Sequence, residues 1–161
     1  MVTVKFDNTS MRKMQRKMDK LARFGLVNKK ELRKANRQIA KIYVKTARRN
    51  IQPMNREYTT VRGNKIQRGT LRRSMGVWRP KGGSNTMMAG PRASTLKRVA
   101  AYSNKDGFFA HFVESGIARK KKYQGRNVGV FKRSMQSAQP QMARTQVNEY
   151  RSKFKKYVRS L

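Results

Sequence analysis

The strongest periodic signal in the chain lies between Asn28 and Asn50. Leu32, Ala35, Ile39, Ile42, Tyr43 and Ala47 recur at helical spacing, which lines them along one side of a helix. Asn28 and Glu31 have the spacing of a capping box, and Val27 with Leu32 that of a hydrophobic staple. A helix over 28–50 is therefore predicted. Upstream, residues 2–6 alternate apolar and polar side chains and predict a short strand. Asn8, Thr9 and Ser10 offer an N-cap for a helix over 10–24, with Met11, Met14, Met18 and Leu21 on one face and Gly25 as its stop.

Downstream the period breaks. Pro53, Gly63 and Gly69 punctuate 51–69, which reads as a loop. A helical turn at Thr70–Ser74 leads to two strands, Met75–Arg79 and Thr86–Ala89, pairing as a hairpin through Pro80, Gly82 and Gly83. Residues 90–106 and 117–129 read as basic loops. Between them the aromatic run Phe108–Glu114, bounded by Gly107 and Gly116, predicts a further strand. The last third is helical: Phe131, Met135 and Ala138 form a first segment, with an interruption expected near Pro140. Ala143, Val147, Tyr150, Phe154, Val158 and Leu161 then make an apolar stripe among Arg144, Arg151, Lys153, Lys155, Lys156 and Arg159. Such a stripe implies core or subunit contact. The sum is one α+β domain over 1–161: a small antiparallel twisted sheet packed by a long helix from the N-terminal half and a C-terminal helix.

Charge changes this picture most. Of 161 residues, 41 are Lys or Arg and seven are Asp or Glu, a net charge of +34. Residues 1–80 carry 23 of the cations and 81–161 carry 18, so the charge belongs to the folded body and not to a tail. A body so charged repels itself until a polyanion or an acidic partner meets it. Nucleic acid is the expected polyanion, bound through phosphates with counterion release and little base preference. On the 28–50 helix, Lys30, Lys34, Arg37, Lys41, Lys45 and Arg48 fall opposite the apolar stripe. Like charges so spaced cost about 0.2–0.5 kcal/mol per pair unless an anion covers them. These six are the first candidates for phosphate contact, and Lys120, Lys121 and Lys122 the second.

Catalysis finds little support. The single His, His111, sits in the aromatic run, where a packed or hydrogen-bonded role is expected. The acids at 7, 19, 31, 57, 106, 114 and 149 are scattered, without the convergent pair that acid–base or two-metal chemistry needs. Gly82-Gly83 lacks the Lys-Ser/Thr of a phosphate loop. There is no Cys, hence no disulfide and no thiolate metal site. No catalytic residue, metal or cofactor is expected. No run of about 18 apolar residues suggests a membrane span, and the N-terminus lacks the apolar centre of a signal peptide. Glu114 is open to pairing with an Arg or to a plain surface role.

Three ordered stretches carry a resemblance. Ala47-Arg48-Arg49-Asn50-Ile51-Gln52-Pro53, Gly69-Thr70-Leu71-Arg72-Arg73-Ser74-Met75 and Phe109-Ala110-His111-Phe112-Val113-Glu114-Ser115-Gly116 together resemble segments of the tail-completion (neck) proteins of long-tailed bacteriophages, minor tail protein Z-like. The resemblance implies a long helix across a twisted sheet and copies assembled in a ring, expected to be sixfold. Its implied neighbours are portal, adaptor or stopper proteins on one side and tail terminator or tail tube proteins on the other. Its implied location is the virion, after assembly in the host cytoplasm. Cations lining such a ring would hold genome DNA without reading it. The alternative is a cytoplasmic basic nucleic-acid-binding protein of ribosomal or architectural type.

Overall fold

The structure, a computed structural model, describes residues 29–53, 57–60, 63–82, 86–118, 121–122 and 125–160, together with 12, 13, 16, 18 and 19. The strand expected over 2–6, the caps around residues 8–10 and 28, and Lys120 lie outside the described residues. Of the helix expected over 10–24, the described positions are helical, and Met18 is 62% exposed.

The long helix α1 runs Lys29–Asn50, as its pattern predicts. Leu32, Ala35, Ile39, Tyr43 and Ala47 are buried along it. Glu31 in its first turn and Arg48 and Arg49 in its last suit the helix dipole. Against α1 lies a second long helix, which we number α4, Val130–Arg159. The two are antiparallel: Asn50 Nδ2 donates to Ser134 Oγ at 3.1 Å near one end, and Lys153 reaches Glu31 at 2.9 Å near the other. Close to that second end, the Tyr150 hydroxyl donates to Asn36 Oδ1. Ala47, Ser134 and Ala138 are almost wholly buried; their small side chains let the helix axes approach closely.

Helix α4 passes through Pro140 without a break, contrary to the interruption expected there. Proline removes one helical hydrogen bond and costs about 3 kcal/mol in a helix interior. Pro140 points outward, while buried Ala138 and half-buried Met142 anchor the turns on either side against the core. Tertiary packing offsets the local penalty.

Between the long helices the chain forms short elements. β1 (Tyr58–Thr59) and β2 (Lys65–Ile66) pair within the stretch expected to be a loop. Helix α2 (Thr70–Ser74) leads directly into β3 (Met75–Trp78), which pairs antiparallel with β4 (Met88–Pro91). Met75 faces Pro91 and Trp78 faces Met88, so the second strand sits two residues later than expected. A 3-10 turn follows at Ser94–Leu96. Helix α3 covers Ala110–Ser115, and β5 (Ile117–Ala118) pairs with β6 (Lys121–Lys122). The fold is α+β. Its described strands form three separate two-stranded ladders where one sheet was expected.

The strand expected over Phe108–Glu114 is corrected outright, because Ala110–Ser115 is helical. The reason is visible in the burial. Phe109 and Ala110 are buried, Val113 packs against the core, and His111 and Phe112 are exposed, which is a helical period and not an alternation. Gly116 closes the helix in the left-handed conformation (φ 67°), its N–H donating to Phe112 O at 3.0 Å. His111 is accordingly exposed, its Nδ1 3.0 Å from Phe108 O.

Glu114 has a role that its sequence position does not announce. Its two carboxylate oxygens accept hydrogen bonds from Phe131 N (2.8 Å) and Lys132 N (2.9 Å), the free amides of α4's first turn. Neither an Arg partner nor an idle surface position fits that geometry. A carboxylate so placed contributes about 0.5–2 kcal/mol by capping and by the helix dipole. The main core then closes around Tyr43, Val44, Ile51, Leu71, Met75, Phe109 and Val130. Burial holds the Tyr43 phenol above its usual pKa, and the nearby Glu114 charge adds to the effect.

Candidate nucleic-acid interface

Because α1 buries its apolar stripe against α4 and the β3–β4 ladder, its opposite face is left to solvent. Lys30, Lys34, Arg37, Lys41, Lys45 and Arg48 are all exposed. At 100° per residue they fall within an arc of roughly 80° and span about 27 Å of helix. All six positions thus share one outward row, but their bonding is unequal. Arg48 Nη2 donates to Met75 O at 2.8 Å, tying the end of α1 to the start of β3. Lys34 Nζ lies 2.7 Å from Glu31 Oε1. The row is least committed at Lys30, Arg37, Lys41 and Lys45.

Lys121 and Lys122 contribute backbone to β6, which places them on a hairpin away in sequence from α1. Sequence reasoning grouped them with α1 only by charge.

Several other arginines are structural. Arg73 donates to Asn104 O and Arg68 O, Arg92 to Ser74 O, and Arg133 to Val128 O and Arg126 O. With so few carboxylates in the chain, guanidinium groups satisfy backbone carbonyls and fasten the turns. Two acids are similarly committed. Glu31 is held down to about pKa 2 by hydrogen bonds from Lys34 and Lys153. Asp106 is buried, and its oxygens accept from Ser94 N, Tyr102 N and Phe108 N at 2.9, 2.8 and 3.2 Å. Burial alone would raise the Asp106 pKa, but the bonds from Ser94, Tyr102 and Phe108 outweigh it and hold it below the usual value.

That depression carries a pH prediction. The unfolded carboxyl titrates near about 3.9, and the folded one lower, so its stabilisation is complete above the unfolded value. It is lost as pH falls through the folded value. Asp106→Asn should therefore lower Tm at neutral pH, and the gap from wild type should shrink as pH falls below about 4. Thermal melts across that range read it; a gap independent of pH would contradict the charged assignment.

Among the described residues no group of three or more His, Asp or Glu side chains could hold a metal ion, and no helix is long and apolar enough to cross a membrane. What α1 presents to solvent is a row of outward cations on one helix face. The family model described as "Bacteriophage HK97-gp10, putative tail-component" matches residues 12–116, well over half of the chain. The chain belongs to this HK97-gp10-like family. No curated protein and no solved structure matches it.

All three stretches that resemble phage tail-completion segments lie inside the span of the HK97-gp10-like match, and the structure gives each a physical role. In the first, Ile51 continues α1 by donating to Ala47 O at 2.9 Å and is buried. In the second, Thr70 Oγ1 donates to Gln67 O and the buried Ser74 hydroxyl to Leu71 O. The third provides the Glu114 cap and the Gly116 stop. Helix α4 lies beyond the matched residues. Sequence reasoning missed Glu114 as an N-terminal cap; its signal was an acid followed two residues later by a helix-ending glycine.

Proposed function

We propose that this HK97-gp10-like tail component works in the neck of the virion, as a ring that joins portal-side to tail-side proteins and holds genome DNA. The outward cation row of α1 carries the reading. Lys30, Arg37, Lys41 and Lys45 meet phosphates, with Lys34 shared with Glu31 and Arg48 chiefly fastening β3. Lys120, Lys121 and Lys122 form a secondary contact. The action is by charge and shape and not by catalysis, and it takes no cofactor.

A free ring of six would carry roughly two hundred positive charges, so copies repel until a polyanion threads them. Assembly should therefore depend on DNA, and phosphate contacts would hold the genome's end without fixing its sequence. Portal, adaptor or stopper proteins lie above such a ring and tail terminator or tail tube proteins below. The particle is assembled in the host cytoplasm.

Sedimentation velocity with and without a short duplex tests this. Copies should gather into a defined oligomer when DNA is added at moderate salt. A chain that binds the duplex tightly yet stays one copy per site would overturn the ring and favour an architectural nucleic-acid binder.

A further inference from the structure

Tyr150 excepted, the described members of the apolar stripe in the last half of α4 stay outside the core. Val147 is 57% exposed, Val158 43% and Phe154 42%. The packed side of α4 is instead the one bearing Tyr150 and Lys153, which meet Asn36 and Glu31 of α1. At 100° per residue, Ala143, Val147, Phe154 and Val158 share an arc of roughly 60°. An adjoining arc of roughly 80° carries Arg144, Arg151, Lys155 and Arg159, all exposed. Arg151, Lys155 and Arg159 also border a shallow depression of about 300 Å³ with Lys156.

We propose that this face of α4 is a docking site for an acidic amphipathic element of another protein. Its composition separates it from the α1 row. The cations of α1 stand without large apolar side chains among them, which suits a phosphate backbone. A duplex exterior rewards cations but gives nothing to Val147 and Val158. Apolar side chains beside Arg are what the core and rim of a protein interface contain.

A second copy of this chain cannot supply the complement. It has seven acids in all; Asp106 and Glu114 are spent on backbone amides and Glu31 on Lys34 and Lys153. The basic arc of one copy would meet the cations of another. An anionic bilayer fits poorly as well, because an interfacial helix sinks a broad apolar face, whereas this one spans an arc of only roughly 60°. What remains is a partner with carboxylates flanking its own apolar stripe. This inference does not rest on α1 contacting DNA.

The test uses the full chain, a labelled designed helix of about 20 residues with Leu on one face and Glu elsewhere, a short duplex, and phosphatidylglycerol vesicles. V147S/V158S and R151Q/K155Q/R159Q alter exposed positions only, and thermal melts check that they fold. At about 0.15 M salt, each variant should weaken binding of the acidic helix about tenfold or more. V147S/V158S should shift duplex affinity less than about twofold. Unchanged peptide affinity in V147S/V158S, or no peptide binding by the wild type, overturns the proposal. So does an equal loss of duplex binding, or self-association or vesicle binding that V147S/V158S abolishes.

Discussion

Gly107→Ala should be among the most damaging single substitutions in this chain. A Cβ there would stand 2.5 Å from Ser74 Oγ, 2.8 Å from Ser74 Cβ and 3.0 Å from Pro91 Cβ. None of these atoms is the far end of a flexible side chain. Ser74 is fully buried and its hydroxyl is bound to Leu71 O, while Gly107 N donates to Arg92 O at 2.8 Å. The backbone cannot retreat without breaking the seam that joins α2, β4 and the turn before α3. Overpacking of this kind costs about 1–3 kcal/mol, and more where no neighbour can yield. In a chain this size that lowers Tm by roughly 2–12 °C. Ser74→Gly in the same molecule removes two of the three clashes and should recover part of the loss. A melt indistinguishable from wild type would contradict the close packing at this seam.

The second large effect concerns binding. Replacing Lys30, Arg37, Lys41 and Lys45 together with Gln should leave the fold intact, since all four side chains are exposed. Each phosphate contact removed takes about 0.9 from the slope of log affinity against log salt for duplex DNA. Four contacts lower it by roughly 3–4, and affinity near physiological salt by roughly two to three orders of magnitude. Arg48→Gln should behave differently, because its guanidinium is bonded to Met75 O: melting falls while the slope changes little. Fluorescence anisotropy across a salt series reads both. An unchanged slope in the fourfold variant would clear α1 of any role with DNA.

The sequence made α1 legible because one face had to be buried and the other could not be. Its stripe and its cations carry opposite information at the same period, so both helix and candidate site could be read from position alone. The run at 108–114 misled for the opposite reason. Aromatic residues favour strands on average, whereas here burial of Phe109, Ala110 and Val113 on one side and the Gly116 stop decide for a helix. Pro140 was read by local rule, and contacts from α1, more than 80 positions away, override it. Glu114 capping α4, Arg48 holding Met75 and Asp106 gathering three amides are long-range or turn-specific bonds that no periodicity encodes. The α4 stripe was legible as apolar, but whether it faced the core depended on which side α1 occupied.

On the proposed function, copies of this chain close into a ring around a phosphate polymer, with the cations of α1 facing it. A reconstruction of the mature virion that locates this chain tests it most directly. It should place a closed ring of copies between portal and tail, with the outer face of α1 toward the genome. Density on the capsid shell or a tail fibre, or a ring with α1 turned away from DNA, would contradict it.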